Sequence, residues 1–480
     1  NYFGPACEGQ GFDYTINEFP FFSYLLGDLH PHVMATPFLL TFVYIAYDLS
    51  KKDLTKPLGL MYWLEVALAG VMLGCVSFIN MWIAPICIAI ILGIYSLHWL
   101  SNSNLNPIKL AKSISLVLAI GALVLIPYLW SFQSSIDGLS KTQYQTSIIH
   151  GFVVWSPLLI LSIPIIVSTF WTTHISTAWK YHLGISFTLV SIPWMIRFLI
   201  PEANVDFEGP GMVGFAFPIT ILCFISTLTL LTLTTRKGVS KRIIVLSLFS
   251  LSMFLILIPE LFYVGDVYGN RMNTVFKLYY PAWILLSICG SYSVYYWLAG
   301  YIRPQKFLKY LYTSIAVIII LCAFFYTPAA TMTKINESSI SGFKNSTARL
   351  TDLEVSALKY AKQNISLEQG ILESVGEWDG SGFISRNTGI PNLVNWPGHE
   401  SQWRNSEPAI YQRAADVETI YSTGNLTQAK LLLEKYEINF VYVGDLELNR
   451  YTSEQLEKFQ SLGTLVFGDL GSVSIFEIDR

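Results

Sequence analysis

The sequence predicts an α-helical polytopic membrane protein of about ten transmembrane helices followed by a soluble α/β domain. Three observations carry that fold class. Hydrophobic residues make up 52% of the chain and charged residues only 13%, whereas soluble domains carry about 25% charged residues. Ten apolar runs approach the roughly 20 residues needed to cross about 30 Å of hydrocarbon. Lys and Arg number 17 before residue 330 and 13 after it, so charge concentrates in the last third. Residues 1–32 therefore read as an outer loop, 33–329 as a transmembrane helical domain and 330–480 as a soluble domain.

The runs lie at 33–49, 59–79, 83–100, 108–130, 152–172, 182–200, 212–235, 243–264, 276–300 and 307–328. One set of alternate loops carries basic residues from Lys51 and Lys52 through Lys241 and Arg242 to Lys309; the other holds only Lys141, Arg197, Arg271 and Lys277. Short loops rich in Lys and Arg stay cytoplasmic. Residues 1–32, 131–150, 201–211, 265–275 and the whole tail are then expected outside, on a protein integral to the cytoplasmic membrane. Glu65 falls within a span, where an acid must be protonated or paired with a neighbouring helix. The chain opens in mid-loop with "NYFGPACEGQ", so earlier helices are expected to precede it.

The tail alternates helix and strand. "STARLTDLEVSALKYAKQN" places Glu354 three residues after Thr351, a capping box ahead of a helix. "GILESVG" reads as a short strand, "LTQAKLLLEKYEINFVYVGD" as helix, turn and strand, and "TSEQLEKFQ" as another helix. "TLVFG" and "SVSIFEI" close the domain as two strands. Four N-x-[ST] sequons, at Asn336, Asn345, Asn364 and Asn425, suit exposure. The six cysteines are scattered, five of them in apolar runs, and read as small core residues. A net charge of −3 offers no footprint for nucleic acid.

Three constellations carry candidate chemistry. In "NEFPFFSYLLGDLHPHVMATPFLL", Asp28, His30 and His32 sit where the chain enters the first span, with Glu18 upstream. They suit acid/base or substrate-binding work. Interfacial hydrogen bonding is the structural alternative, and the H-x-H pair is compatible with a divalent metal without requiring one. In "PELFYVGDVYGNRMNTVFKLYYPAW", Arg271 and Lys277 lie among the donors Asn270, Asn273, Tyr279 and Tyr280. Cations beside a bilayer need an anion, which a lipid phosphate would supply; an internal salt bridge from Arg271 to Glu260 or Asp266 would serve equally. In "GIPNLVNWPGHESQWRNS", His399, Glu400, Trp403 and Arg404 crowd a loop suited to a sugar or partner, or packed back on its own domain.

These stretches, with "DVETIYSTGN" and "LLLEKYEINFVYVGDLE", resemble the YYY family of uncharacterised bacterial and archaeal multi-pass membrane proteins along essentially the whole chain. That family in turn resembles the GT-C class of glycosyltransferases. The resemblance implies a GT-C-like fold, an outer-face active site, a polyprenyl-phosphate-linked sugar as donor and a glycan or protein acceptor. It also implies an early outer loop with an "NYYYFG"-like motif and a catalytic carboxylate, of which "NYFG" at residues 1–4 is at best an echo. Asp28 is then expected as base, with His30 or His32 as alternatives, and Arg271 with Lys277 as ligands of the leaving phosphate. Two rivals use the same residues: a non-catalytic lipid-linked glycan transporter or surface-assembly scaffold, and a metal-dependent hydrolase built on His30, His32 and His399.

Overall fold

The computed structural model describes residues 15, 17–27, 29–101, 105–130, 132, 136, 138–172, 179–201, 214–237, 239–266, 269–302, 305–337, 350–377, 381–404 and 407–479. The chain divides into two compact units that meet in sequence between Thr331 and Met332.

The first unit opens with a short helix, α1 (Pro20–Leu26), closed by Gly27 at φ 68°, a left-handed conformation that glycine adopts without Cβ strain. Long helices follow: α2 (Pro31–Ser50), α3 (Leu60–Ile79), α4 (Ala84–Ser101) and α5 (Pro107–Leu129). Beyond the three-residue strand β1 (Leu139–Lys141) come α6 (Ile148–Thr172), α7 (Trp179–Leu199), α8 (Ala216–Lys237) and α9 (Lys241–Leu261). Strand β2 (Phe262–Val264), α10 (Met272–Leu298) and α11 (Lys306–Glu337) complete the series. Each expected span coincides with one of these helices. Nine helices among the described residues are long and apolar enough to cross a membrane. The one outside that number is α10, whose 27 residues suffice in length but include Asn273, Lys277, Tyr279 and Tyr280. A helix enclosed by other helices needs no apolar perimeter, and much of α10 is buried, including Tyr279, Tyr280, Leu285 and Cys289.

Small residues let α3 and α5 approach closely. Gly70 and Gly74 on α3 face α5, and a Cβ built on Gly74 would lie 2.5 Å from Cβ of Val124. One built on Gly70 would lie 2.7 Å from Cβ of Ile120. Their spacing is the small-xxx-small pattern that lets membrane helices touch along their backbones. Glu65, expected to be protonated or paired with a neighbouring helix, instead meets Lys52 just past the end of α2, at 2.7 Å. At the other end of the helices, β1 and β2 form an antiparallel ribbon, with Ser140 opposite Tyr263.

The second unit contains α12 (Asp352–Asn364), β3 (Gly370–Leu372), α13 (Phe383–Thr388), α14 (Pro397–Arg404), α15 (Glu407–Ser422) and α16 (Leu426–Lys435). It ends with β4 (Ile438–Val443), α17 (Asp445–Arg450), α18 (Ser453–Glu457), β5 (Gly463–Gly468) and β6 (Ser474–Ile478). The sheet order is β3-β4-β6-β5, with β3 parallel to β4 and the other pairs antiparallel. Parallel neighbours need a crossover, which α13 to α16 supply. Alternation along the strands fills both faces: Ile371, Phe440, Tyr442 and Ile475 pack with α12, while Leu372, Val441, Val443 and Phe476 pack with α15 and α16. The Thr351 capping box forms, with the Glu354 amide donating to Thr351 Oγ1 at 3.2 Å and the Thr351 amide to Glu354 Oε2 at 2.7 Å. The expected loop at 389–406 is corrected in its second half: Pro397 starts helix α14, because its ring fixes a helical φ at the first turn and its missing N–H costs nothing there.

Candidate functional site

Helix α10 organises two polar clusters on different faces. Tyr280 follows Phe276 by four residues and Lys277 by three, the spacings at which helical side chains are neighbours. The His32 ring lies edge-on to Phe276 at 4.3 Å and to Tyr280 at 4.9 Å between centroids. Proline at the first position of α2 starts that helix at Pro31, which places His30 at its cap and His32 in its first turn. His32 is buried and His30 exposed, and their rings are 5.6 Å apart. Just before α1, the Glu18 carboxylate accepts from Ser23 Oγ at 2.9 Å and stands 3.5 Å from His32 Nε2. Phe19 stacks on Trp283 and meets Tyr326 edge-on, which anchors Glu18 beside α10. Lys277 Nζ lies over the Phe276 ring at 5.0 Å. The Tyr280 hydroxyl sits near Ser23 and Thr36.

The second cluster surrounds Glu260, in the last turn of α9 and fully buried. Its carboxylate accepts from Arg271 Nη1 at 2.8 Å, Tyr279 Oη at 2.7 Å, Thr146 Oγ1 at 2.6 Å and the Thr146 amide at 2.7 Å. Arg271 Nη2 also donates to Thr146 Oγ1 at 3.2 Å. Arg197 ties the same region by donating to the carbonyls of Thr142 and Leu261 at 2.9 and 2.5 Å. Of the two readings open for Arg271, the structure holds the internal ion pair with Glu260. An apolar setting explains its closeness, because a buried carboxylate without a cation is costly. Asn270 accepts from the Met272 amide at 2.8 Å, and Asn273 donates to Asp266 at 2.6 Å, so both also shape the turn into α10.

In the α/β unit, His399 stacks on Trp396 at 4.7 Å, and Glu400 occupies the first turn of α14, its amide donating to the Trp396 carbonyl at 2.9 Å. Trp403 and Arg404 lie on the last turn of α14, with side chains outside the described residues. Asp28 also lies outside them. The structure therefore brings Glu18, His30, His32 and Lys277 into one neighbourhood, and Arg271 with Tyr279 into another.

Sequence reasoning missed Ser23, Phe276 and Thr146, and it did not separate Tyr279 from Tyr280. The helical spacing of Phe276 and Tyr280 was available as a signal; nothing local distinguishes Thr146. It also missed Glu373, which follows β3 and is buried. Glu373 accepts from the amides of Ile384 and Ser385, at 2.8 and 3.0 Å, in the first turn of α13. Burial pushes its carboxyl up to about 7 against those two bonds, helped by nearby Glu447.

Chemically, the first cluster can move a proton, since a carboxylate against an imidazole is a basic acid/base pair. For a metal, the His30 and His32 rings are neighbours, but no group of three His, Cys, Asp or Glu among the described residues is placed to hold one. No curated protein matches the chain. A family model does, over residues 10–286, more than half of the sequence and including Glu18, His32, Glu260, Arg271 and Lys277. The chain belongs to the family of uncharacterized membrane proteins described as DUF2298.

Proposed function

We propose that this protein is a GT-C-type membrane glycosyltransferase that moves a sugar from a polyprenyl-phosphate donor to a glycan or protein acceptor on the outer face of the cytoplasmic membrane. One observation carries the reading: the Glu18–His32 pair stands at the entry of α2, with Lys277 close by on α10. The Glu18 side chain is 17% exposed and His32 only 2%, so Glu18 is the member able to meet an acceptor. Glu18 takes the proton of the acceptor hydroxyl, whose oxygen forms a bond to the anomeric carbon of the sugar. The bond from that carbon to the phosphate oxygen breaks, and polyprenyl phosphate leaves with the electron pair. His32 holds the charge of Glu18 from behind, Lys277 neutralises the departing phosphate, and the prenyl tail stays in lipid throughout. Asp28, two residues before His30, is the second candidate base. Arg271 acts as a positioning residue through Glu260. No divalent metal is required by this scheme.

The test is sugar transfer from radiolabelled polyprenyl-phosphate sugars in membranes carrying the full-length gene product. Glu18→Gln is expected to lower transfer at least about a hundredfold, within the range of general acid/base contributions, and Lys277→Met about tenfold. Loss in Asp28→Asn with Glu18→Gln intact would move the base to Asp28. Losses of no more than a few-fold in both would sink the acid/base assignment.

The buried Glu260–Arg271 pair favours a second reading, a non-catalytic lipid-linked glycan transporter or surface-assembly scaffold, because it spends the better phosphate-binding cation inside the protein. Movement of labelled lipid across vesicles without cleavage of its sugar–phosphate bond would select that reading.

A further inference from the structure

The opposite end of α9 and α10 carries a second site. Roughly 28 Å along α9 from Glu260, a pocket of about 800 Å³ opens between α2, α8, α9 and α10. Its polar wall holds Lys241, Arg242, Tyr292, Tyr296 and Tyr301; its apolar wall includes Val43, Leu233, Leu248 and Ile288. None of its described lining residues is Asp or Glu.

The polar wall is built rather than incidental. Arg242 Nη1 donates to Tyr296 Oη at 3.4 Å and Nη2 to Ser168 Oγ at 3.2 Å, while the guanidinium lies over the Tyr296 ring at 5.5 Å. Tyr296 is stacked between Tyr292 and Tyr301, with ring centroids 6.1 and 4.9 Å away. The stacked rings brace Tyr296 beneath the guanidinium, and its hydroxyl accepts from Arg242. Ser240, which lines the pocket and precedes α9, makes no side-chain cap, so the first-turn amides of a 21-residue helix begin at the pocket wall. A helix N-terminus, an arginine fork and a lysine all favour the same ligand, a phosphate.

We infer that this pocket binds the phosphate headgroup of an anionic phospholipid from the leaflet at the Lys241 end, with the upper acyl chain along the apolar wall. The mixed lining distinguishes a lipid phosphate from a free one: a soluble anion would use the cations and phenols but leave Val43, Leu233, Leu248 and Ile288 uncovered. Anionic lipid surfaces attract basic residues at membrane edges in general. Here the cations line an open-mouthed pocket that also has an apolar wall, so selectivity should exceed surface attraction.

The experiment uses the full chain purified in detergent and titrated with short-chain phosphatidylglycerol, short-chain phosphatidylcholine and inorganic phosphate, read by native mass spectrometry. Phosphatidylglycerol is expected to bind at least tenfold more tightly than either of the others. Arg242→Gln should weaken it about tenfold and Lys241→Gln about threefold, with phosphatidylcholine unmoved. Lys241 is exposed and guards against an Arg242→Gln variant that fails to fold. Equal affinity for the two lipids, or unchanged phosphatidylglycerol binding in Lys241→Gln and a folded Arg242→Gln, would overturn the inference. Phosphate binding as tight as phosphatidylglycerol would overturn its lipid part.

Discussion

The two units bury charge in different ways. In the helical unit acids are met by side-chain cations: buried Glu260 has Arg271, and half-buried Glu65 at the edge of α3 has Lys52. In the α/β unit Asp416 also has a cation, Lys435 at 2.7 Å, but Glu373 and Lys458 rely on the backbone. Glu373 is held by first-turn amides of α13, and Lys458 donates to the carbonyls of Tyr421 and Thr423 at the end of α15, both at 2.7 Å. Helix ends carry partial charges of the matching sign, positive at the N-terminus and negative at the C-terminus. They compensate incompletely: burial lifts the Glu373 carboxyl to about 7 and lowers the Lys458 ammonium to about 8. The difference teaches where a membrane protein can rely on dipoles. A long helix crossing the bilayer satisfies its own amides and carbonyls along most of its length, so an acid inside the bundle needs a full counter-charge.

The strongest way to break this comparison is to strip Glu260 of its cation. Arg271→Met should cost about 3–5 kcal/mol, the usual penalty for leaving one member of a buried pair alone, measured by denaturant titration in detergent. Glu260→Gln with Arg271→Met should recover most of that loss, since Tyr279 and Thr146 can still bond the amide. A double variant as unstable as the single one would mean that the pair shapes the α9–α10 turn by more than charge balance.

Glu373 gives the next largest effect, and its sign is fixed by linkage. Below about pH 4.5 both folded and unfolded chains hold the proton. Between there and about 7 the folded chain holds it while the unfolded chain has lost it, so stability falls as pH rises. Above about 7 the penalty is constant, at most about 3 kcal/mol for a shift of this size. Glu373→Gln should flatten that slope in the α/β unit of the full chain and make it more resistant to urea-dependent proteolysis at pH 8. An unchanged slope would show that the α13 amides compensate the carboxylate fully.

What was legible in the sequence follows the same divide. Span positions could be read because lipid demands long apolar runs, and α2 to α11 fall where those runs lie. The Thr351–Glu354 box was legible because its geometry is local. The candidate site was legible only as a set of residue types. Arg271 had Glu260 and Asp266 as equal partners on paper, and only packing of α9 against α10 chooses Glu260. Glu18 and His32 were both noticed, yet their approach depends on Phe19 docking against Trp283, about 260 residues away in sequence. Helix α14 escaped notice because "NWPGHESQW" is dense in loop-forming residues, and its start rests on one proline acting at a first turn.

The smallest effect is expected at Lys52, and it sharpens the comparison by separating burial from membrane depth. The Lys52 and Glu65 side chains are 32% and 26% exposed, and Lys52 also reaches Asp48 at 3.1 Å. Water can therefore reach the pair, and exposed pairs are worth at most about 1 kcal/mol. Lys52→Met should cost no more than that, and the cost should shrink as salt is raised. A salt-independent loss of about 3 kcal/mol would instead place Glu65 within hydrocarbon. The rule drawn from Glu260 would then extend along α3 to its first turns, and the pairing of Glu65 with a loop lysine would be as necessary to the bundle as the pairing of Glu260 with Arg271.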